Sequence, residues 1–430
     1  MSILIKNTGA QVGEDVEIKG WVYNLRSSGS IAFLQLRDGT GQIQGVVVKA
    51  EVSEETWQSV KALTVESSII VRGNVRADDR SQSGVELTVE EVEVVSIAEE
   101  YPIGKKEHGP DFLMNYRHLW MRSTRQQSIL RIRDEIEFAF RAFMRERGFV
   151  LADSPIFTPN AVEGTTDLFE VKYFEDTAYL SQSGQLYQEA TSAALGKTYC
   201  FGPTFRSEKS KTRRHLTEFW MLEAEASFMD WEENMQLQED MVVFVVKRVL
   251  ENCKEELKTL KRDITKLETT AQGNFPRLDF DDAVAQLRKL GSDIKDGEDM
   301  GGDDETLLTE QYDRPIFIHH YPSQIKAFYM KPDPNRPDRA LCNDMLAPEG
   351  YGEVIGGSQR IDDLALLEQR IKEHNLPTEA FSWYTDLRKY GSVPHSGFGI
   401  GLERTVSWIC GLEHVRETIP FARLLNRIQP

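Results

Sequence analysis

This 430-residue sequence is poor in cysteine, in excess positive charge and in long apolar runs. Its four cysteines, Cys200, Cys253, Cys342 and Cys410, are widely scattered and form no CxxC. That argues against a disulfide scaffold or a thiolate zinc ribbon and predicts free thiols in a reducing compartment. No segment approaches the roughly 20 consecutive apolar residues a membrane helix needs, so no membrane partner is expected. The first residues, MSILIKN, lack the basic stretch and apolar core of a signal peptide, and a cytoplasmic location is expected. Lys and Arg total 51 against 69 Asp and Glu, a net charge of −18. The whole molecule therefore does not attract a phosphate backbone, although a local basic patch still can. There are no internal repeats and no GxGxxG fingerprint.

The first hundred residues alternate apolar and polar in five short runs, 16–23, 31–36, 43–48, 68–73 and 85–95, with one helical insert at 54–63. Short strands with such turns predict a small Greek-key barrel of the OB type. Pro102, Gly104, Gly109 and Pro110 then break the periodicity. Ser123 caps a predicted helix carrying Ile129, Ile132, Ile136, Phe140 and Phe143 on one face and ending at Gly148. Further strands are expected near 179–180, 199–205, 219–226 and 352–356. A long helix is expected over 232–260, a mobile acidic loop over 293–310, and a helix over 362–374. A glycine-rich strand-to-helix passage follows at 396–408. The fold class is α+β: an N-terminal OB-type barrel (1–98), a linker (99–120), and a larger domain (121–430) built on an antiparallel sheet flanked by helices.

Three runs carry chemistry. The first, 205–223 (FRSEKSKTRRHLTEFWMLE), reads as strand, basic loop, strand. It holds Arg206, Lys209, Lys211, Arg213 and Arg214 on an otherwise acidic chain, so its hairpin can aim cations at a polyphosphate. Phe219 offers a face for a base. The second, 343–360 (NDMLAPEGYGEVIGGSQR), brings Asp344 and Glu353 around a turn, hard oxygen ligands that suit Mg²⁺ held through a nucleotide. Gly356 and Gly357 let a ligand approach the backbone. The third, 395–404 (HSGFGIGLER), is a flat glycine floor for a planar base, with Arg404 reaching a phosphate. His319-His320 is set aside as a metal pair, because adjacent strand residues point to opposite faces.

Together these runs resemble the motifs of class II aminoacyl-tRNA synthetases, in the subgroup handling aspartate, asparagine and lysine. The segment 148–155 (GFVLADSP) resembles the family's first motif, which implies a homodimer. The HIGH and KMSKS signatures of the other synthetase class are absent. The resemblance covers essentially the whole chain and places an anticodon-binding domain at the barrel. It implies ATP and Mg²⁺, with Arg206 bridging the substrate carboxylate and the α-phosphate. Glu208 would read adenine, Arg214 and His215 would hold the outer phosphates, and Phe219 would stack on the base. Gly401 and Arg404 would lie on its other side, and Asp344 and Glu353 would place the metal. The catalytic residues are then Arg206 and Arg404.

The amino-acid pocket of this subgroup matches Glu163, Ser183, Gln185, Gln188, Glu223 and Arg360. Aspartyl members carry a lysine where this chain has neutral Gln188, which implies asparagine as substrate and its tRNA as partner. Either Glu223 or Glu225 would accept from the carboxamide while Arg360 donates to it. Such a buried polar mismatch can discriminate by about 10⁴ or more. Arg26, Phe33 and Gln44 match anticodon-binding positions, with Phe33 stacking on a base and Gln44 bonding a base edge; a place in the barrel core is the alternative for Phe33. An aspartyl member, one of loose specificity, an adenylate-forming amide ligase or a non-catalytic OB-type RNA-binding relative are the alternatives. Retention of Arg206, Glu353 and Arg404 argues against the last.

Overall fold

A computed structural model describes residues 2–81, 83–104, 106–159 and 168–430. The chain divides into two compact units, Met1–Met114 and Asn115–Pro430.

In the first unit, strands Asp15–Ser28, Ile31–Arg37, Gln42–Val48, Ser68–Ala77 and Val85–Ser96 close into a barrel. The fifth strand inserts between the third and fourth. Alternation sends Ile18, Val22, Leu34, Val71 and Leu87 inward, all fully buried. Closure bends the fourth strand at Gly73, beside a register shift, where a side chain would collide with the Thr88 carbonyl. The helix Glu54–Ala62 begins at Ser53, whose Oγ accepts from Thr56 N at 3.0 Å, and packs Trp57 and Val60 into the barrel core.

The second unit is built on an eight-stranded sheet. Its order is Arg277–Asp279, Ile316–His319, Cys342–Ala347, Gly352–Gln359, His395–Gly401, Glu218–Ser227, Lys197–Phe205, Val150–Leu151. The six central strands are antiparallel, as expected; the short strand at each edge pairs in parallel. Helices Thr124–Glu146, Trp231–Asn252 and Leu402–Cys410 share one core with Phe398 and Ile400 of the sheet. Ser123 caps the first of them, through a 3.3 Å bond from Gln126 N, and Gly148 follows its end at φ 79°. Phe398 and Ile400 face this core, so period-two alternation turns Gly397, Gly399 and Gly401 to the other face.

Four expectations are corrected. The helix expected over 232–260 stops at Asn252 and resumes at Lys254, because Cys253 takes a non-helical conformation (φ −119°) that lets Leu257 reach the core. The loop expected over 293–310 contains the helix Gly302–Thr309: Asp303, Asp304 and Glu305 favour its N-terminal end, and fully buried Leu308 anchors it. Residues Pro110–Asn115 and Arg117–Trp120 form short helices, the second held by buried Arg117, which donates to the carbonyls of Ile419 and Pro420. His319 ends its strand and His320 has φ 58°, so the two rings do not diverge: their Nδ1 atoms lie 2.7 Å apart. All four cysteines are free and buried. No helix among the described residues is long and apolar enough to cross a membrane.

Candidate active site

The glycine-bearing face of the sheet forms the floor of a cavity of ≈ 720 Å³. Arg206, Glu353 and Arg404, which lie far apart in sequence, all line it. Arg206 stands one residue beyond the strand Lys197–Phe205. Its guanidinium donates to the Gln182 carbonyl and lies 5.5 Å from the centre of the Phe219 ring. Arg404, in the first turn of the helix Leu402–Cys410, donates to the Glu353 carbonyl at 2.8 Å and to its carboxylate at 3.3 Å. Between these cations are Glu208 and His215. Glu208 Oε2 and His215 Nε2 are shut off from solvent with no hydrogen-bond partner among the described residues. Buried polar atoms of this kind are normally satisfied, so each points to a ligand group. Burial, with Arg404 and Arg206 nearby, holds the His215 imidazole below its ordinary range against the opposing pull of Glu208, which favours a neutral ring.

Arg214 also lines the cavity, but its guanidinium is engaged by Glu305 at 2.9 Å, Thr306 at 2.6 Å and the Gly350 carbonyl. Glu305 in turn accepts from Glu353 N at 3.2 Å. Burial and the neighbouring Glu353 push the Glu305 carboxyl up to about 7, with Arg404 and Arg214 opposing. Glu305 stands in the acidic run 293–310, where nothing in the composition separates it from its neighbours; the helix Gly302–Thr309 brings it to Arg214.

Asp344 and Glu353 converge over Gly356. A Cβ on Gly356 would lie 3.2 Å from Glu353 Oε1 and 3.6 Å from Asp344 Oδ1. Burial pushes Asp344 up to about 6 with the help of Glu353, while Lys326, 2.7 Å away, opposes the rise. Two carboxylates held close in a low dielectric are the donor set a hard divalent cation requires. Lys326 escaped sequence reasoning; its one signal was a lone cation in the apolar stretch 325–330. Gly357 serves packing instead: a side chain there would strike Gln238 beneath the sheet.

Ser183, Gln185, Glu223 and Arg360 form the other end of the same cavity. Glu223 is fixed by Ser183 Oγ and by Gly184 N at 2.7 Å. Glu225 does not line the cavity. It lies fully buried on the same face of the sheet, over Gly397, and pairs with Arg360 at 3.0 Å. Glu225 and Glu189 hold Arg360 above its ordinary range although burial opposes its charge. Gln188 also does not line the cavity. On the helix Gln185–Leu195, its amide donates to the Ala152 carbonyl at 2.6 Å and to Ser154 Oγ at 3.0 Å, and these bonds hold it away from the cavity. Glu163 lies outside the described residues.

On the barrel, Arg26 pairs with Phe33 and Gln35 with Gln44 across adjacent strands. Directly opposed residues share a face. Ala32, Leu34 and Leu36 fill the core, so Phe33 points outward with Arg26 and Gln44. Gln44 Nε2 donates to Glu86 at 3.2 Å.

Residues 109–425 match the family described as tRNA synthetases class II (D, K and N), and residues 16–95 match the OB-fold nucleic acid binding domain. An asparagine–tRNA ligase of Desulforamulus reducens is 60% identical over 99% of both chains. That of Pelotomaculum thermopropionicum is 58% identical over 100% of this chain and 99% of its own. The chain belongs to the asparagine–tRNA ligases. An asparaginyl-tRNA synthetase from Pyrococcus horikoshii, solved with asparaginyl-adenylate, superposes with a TM-score of 0.97 over all of both chains at 44% identity. As a class II asparagine–tRNA ligase, the chain is an enzyme forming an aminoacyl-tRNA, and these likenesses do not favour the aspartyl or non-catalytic alternatives.

Proposed function

We propose that the cavity binds ATP and L-asparagine side by side and that its residues activate the asparagine carboxylate before its transfer to tRNA(Asn). The observation that carries this reading is the convergence of Arg206, Glu353 and Arg404 on one cavity whose far end holds Ser183, Gln185, Glu223 and Arg360. Attack of a carboxylate on the α-phosphate brings negative charge together, and positioning plus charge neutralisation carry such a step. Arg206 stands between the two ends and neutralises both reactants. Phe219 stacks on adenine, Glu208 accepts from its amino group, and Gly401 leaves room for the base. His215 donates to an outer phosphate, and Arg404 faces the γ-phosphate. Arg214 reaches the phosphates with Glu305 attached. Asp344 and Glu353 would hold Mg²⁺, which when bound supplies further neutralisation of the phosphate charge.

At the amino-acid end, Glu223 accepts from the carboxamide and Arg360 donates to it. Glu225 cancels the charge of Arg360, so the pocket gains little from a second carboxylate. This supports asparagine over aspartate from a buried residue behind Arg360 rather than from Gln188. The test is ATP–pyrophosphate exchange with each amino acid. Exchange with asparagine should exceed that with aspartate by about 10⁴ in kcat/KM; comparable rates would overturn the assignment.

The outward face of Arg26, Phe33 and Gln44 supports binding of splayed anticodon bases, with Phe33 stacking. Phe33→Ala should weaken tRNA(Asn) binding by about 1–3 kcal/mol while leaving pyrophosphate exchange unchanged. Filter binding and exchange on one preparation separate the two, and unaltered tRNA affinity would remove Phe33 from the interface. A cytoplasmic homodimer completes the reading. Val150 and Leu151, on the sheet's edge strand within 148–155, are 45% and 41% exposed, the apolar edge a second copy would cover.

A further inference from the structure

We propose that Asp279, His319 and His320 bind a divalent transition-metal ion at the edge of the sheet, outside the ligand cavity. Among the described residues this is the one group of three such side chains whose ligand atoms converge, all within 4.8 Å of one another. None of the three lines the cavity.

Backbone topology makes the cluster. The edge strand Arg277–Asp279 pairs in parallel with Ile316–His319, and the register sets Asp279 beside His319. His320 then leaves the strand at φ 58°, a conformation rare for a residue with a side chain. That turn swings its ring back, leaving the two Nδ1 atoms 2.7 Å apart and Asp279 Oδ2 3.6 Å from His320 Nδ1. Two metal–imidazole bonds of about 2.0–2.1 Å place their nitrogens about 3 Å apart, so slight spreading of the rings admits an ion. Trp231 packs against both rings, with centroids 5.5 and 4.7 Å away.

A second carboxylate orients the pair. Asp333 Oδ2 lies 3.5 Å from His320 Nε2, the far side of the ring. A carboxylate behind a liganding imidazole holds the proton on the outer nitrogen and leaves the inner lone pair bare. His319 Nδ1 then carries the proton shared with His320, and binding of an ion moves that proton to His319 Nε2 or to solvent. Imidazole ligands select zinc, copper, nickel or cobalt over Mg²⁺. Asp279 Oδ1 is occupied as a helix cap by Asp281 N at 3.2 Å, so Oδ2 is the ligand atom. Arg336 competes for it at 2.7 Å, but also reaches Asp281 at 3.0 Å and can transfer fully to that carboxylate.

The test is calorimetric titration of the full chain, stripped with a chelator, by ZnCl₂ and separately by MgCl₂. One Zn²⁺ per chain should bind, with no matching Mg²⁺ isotherm. His320→Ala should weaken Zn²⁺ about ten-fold or more, and Arg336→Ala, which removes the competitor, should strengthen it. Electron paramagnetic resonance of the unaltered chain with one equivalent of Cu²⁺ should show coupling to two imidazole nitrogens and requires no variant to fold. Absence of saturable Zn²⁺ binding, equal affinity in folded His320→Ala, or a copper spectrum without nitrogen ligands would overturn the site.

Discussion

Arg206→Ala is expected to lower asparagine-dependent pyrophosphate exchange about 10²–10³-fold, with the loss in kcat rather than in KM for either substrate. The magnitude is that of removing one preorganised group aimed at developing charge. Arg206 is already held by the Gln182 carbonyl and the Phe219 face, so it need not reorganise during the reaction. Arg206→Lys should recover little, because an ammonium cannot span two acceptors as a planar guanidinium does. Circular dichroism should remain that of the parent, since the side chain stands beyond a strand end rather than in the core. A loss below about three-fold would show that charge neutralisation rests elsewhere.

Glu225→Gln is expected to act on both stability and selectivity. Arg360 and Glu225 are 3% and 0% exposed at the side chain. Removing one partner of a buried pair leaves an uncompensated charge, at a cost of about 3–5 kcal/mol. Urea unfolding should record that loss in the larger unit. Glu189, whose charge also bears on Arg360, should soften it. In the surviving folded fraction Arg360 should offer a net positive charge to the ligand. Aspartate-dependent exchange should then rise relative to asparagine by ten-fold or more, an effect of about 1.4 kcal/mol. Loss of stability with unchanged selectivity would make Glu225 purely structural and leave Glu223 as the discriminating acid.

Local pattern carried the elements whose cause is local. Alternation over 16–95 marked all five barrel strands, because inward and outward residues differ in polarity at every step. Ser123 and Gly148 marked the ends of their helix because caps are set by neighbouring backbone groups. The helix break at Cys253 was illegible, since neighbouring residues remain good helix formers and only the position of Leu257 in the core requires the kink. The acidic stretch 293–310 misled because composition resembles a solvated loop, whereas one buried leucine and a favourable dipole suffice for the helix Gly302–Thr309.

The sequence by itself marked the barrel strands, the basic hairpin and the glycine floor through residue type and spacing, and singled out Arg206, Glu353 and Arg404 as candidates through those runs and their resemblance to the family's motifs. Only the tertiary structure decided which of these groups share a cavity, that Gln188 turns to Ala152, that Glu225 cancels Arg360, and that His319 and His320 face one another. Those outcomes depend on strand register, on helix phase and on one left-handed residue. Each is fixed by packing between segments remote in sequence, for which the linear order of residues holds no local signal.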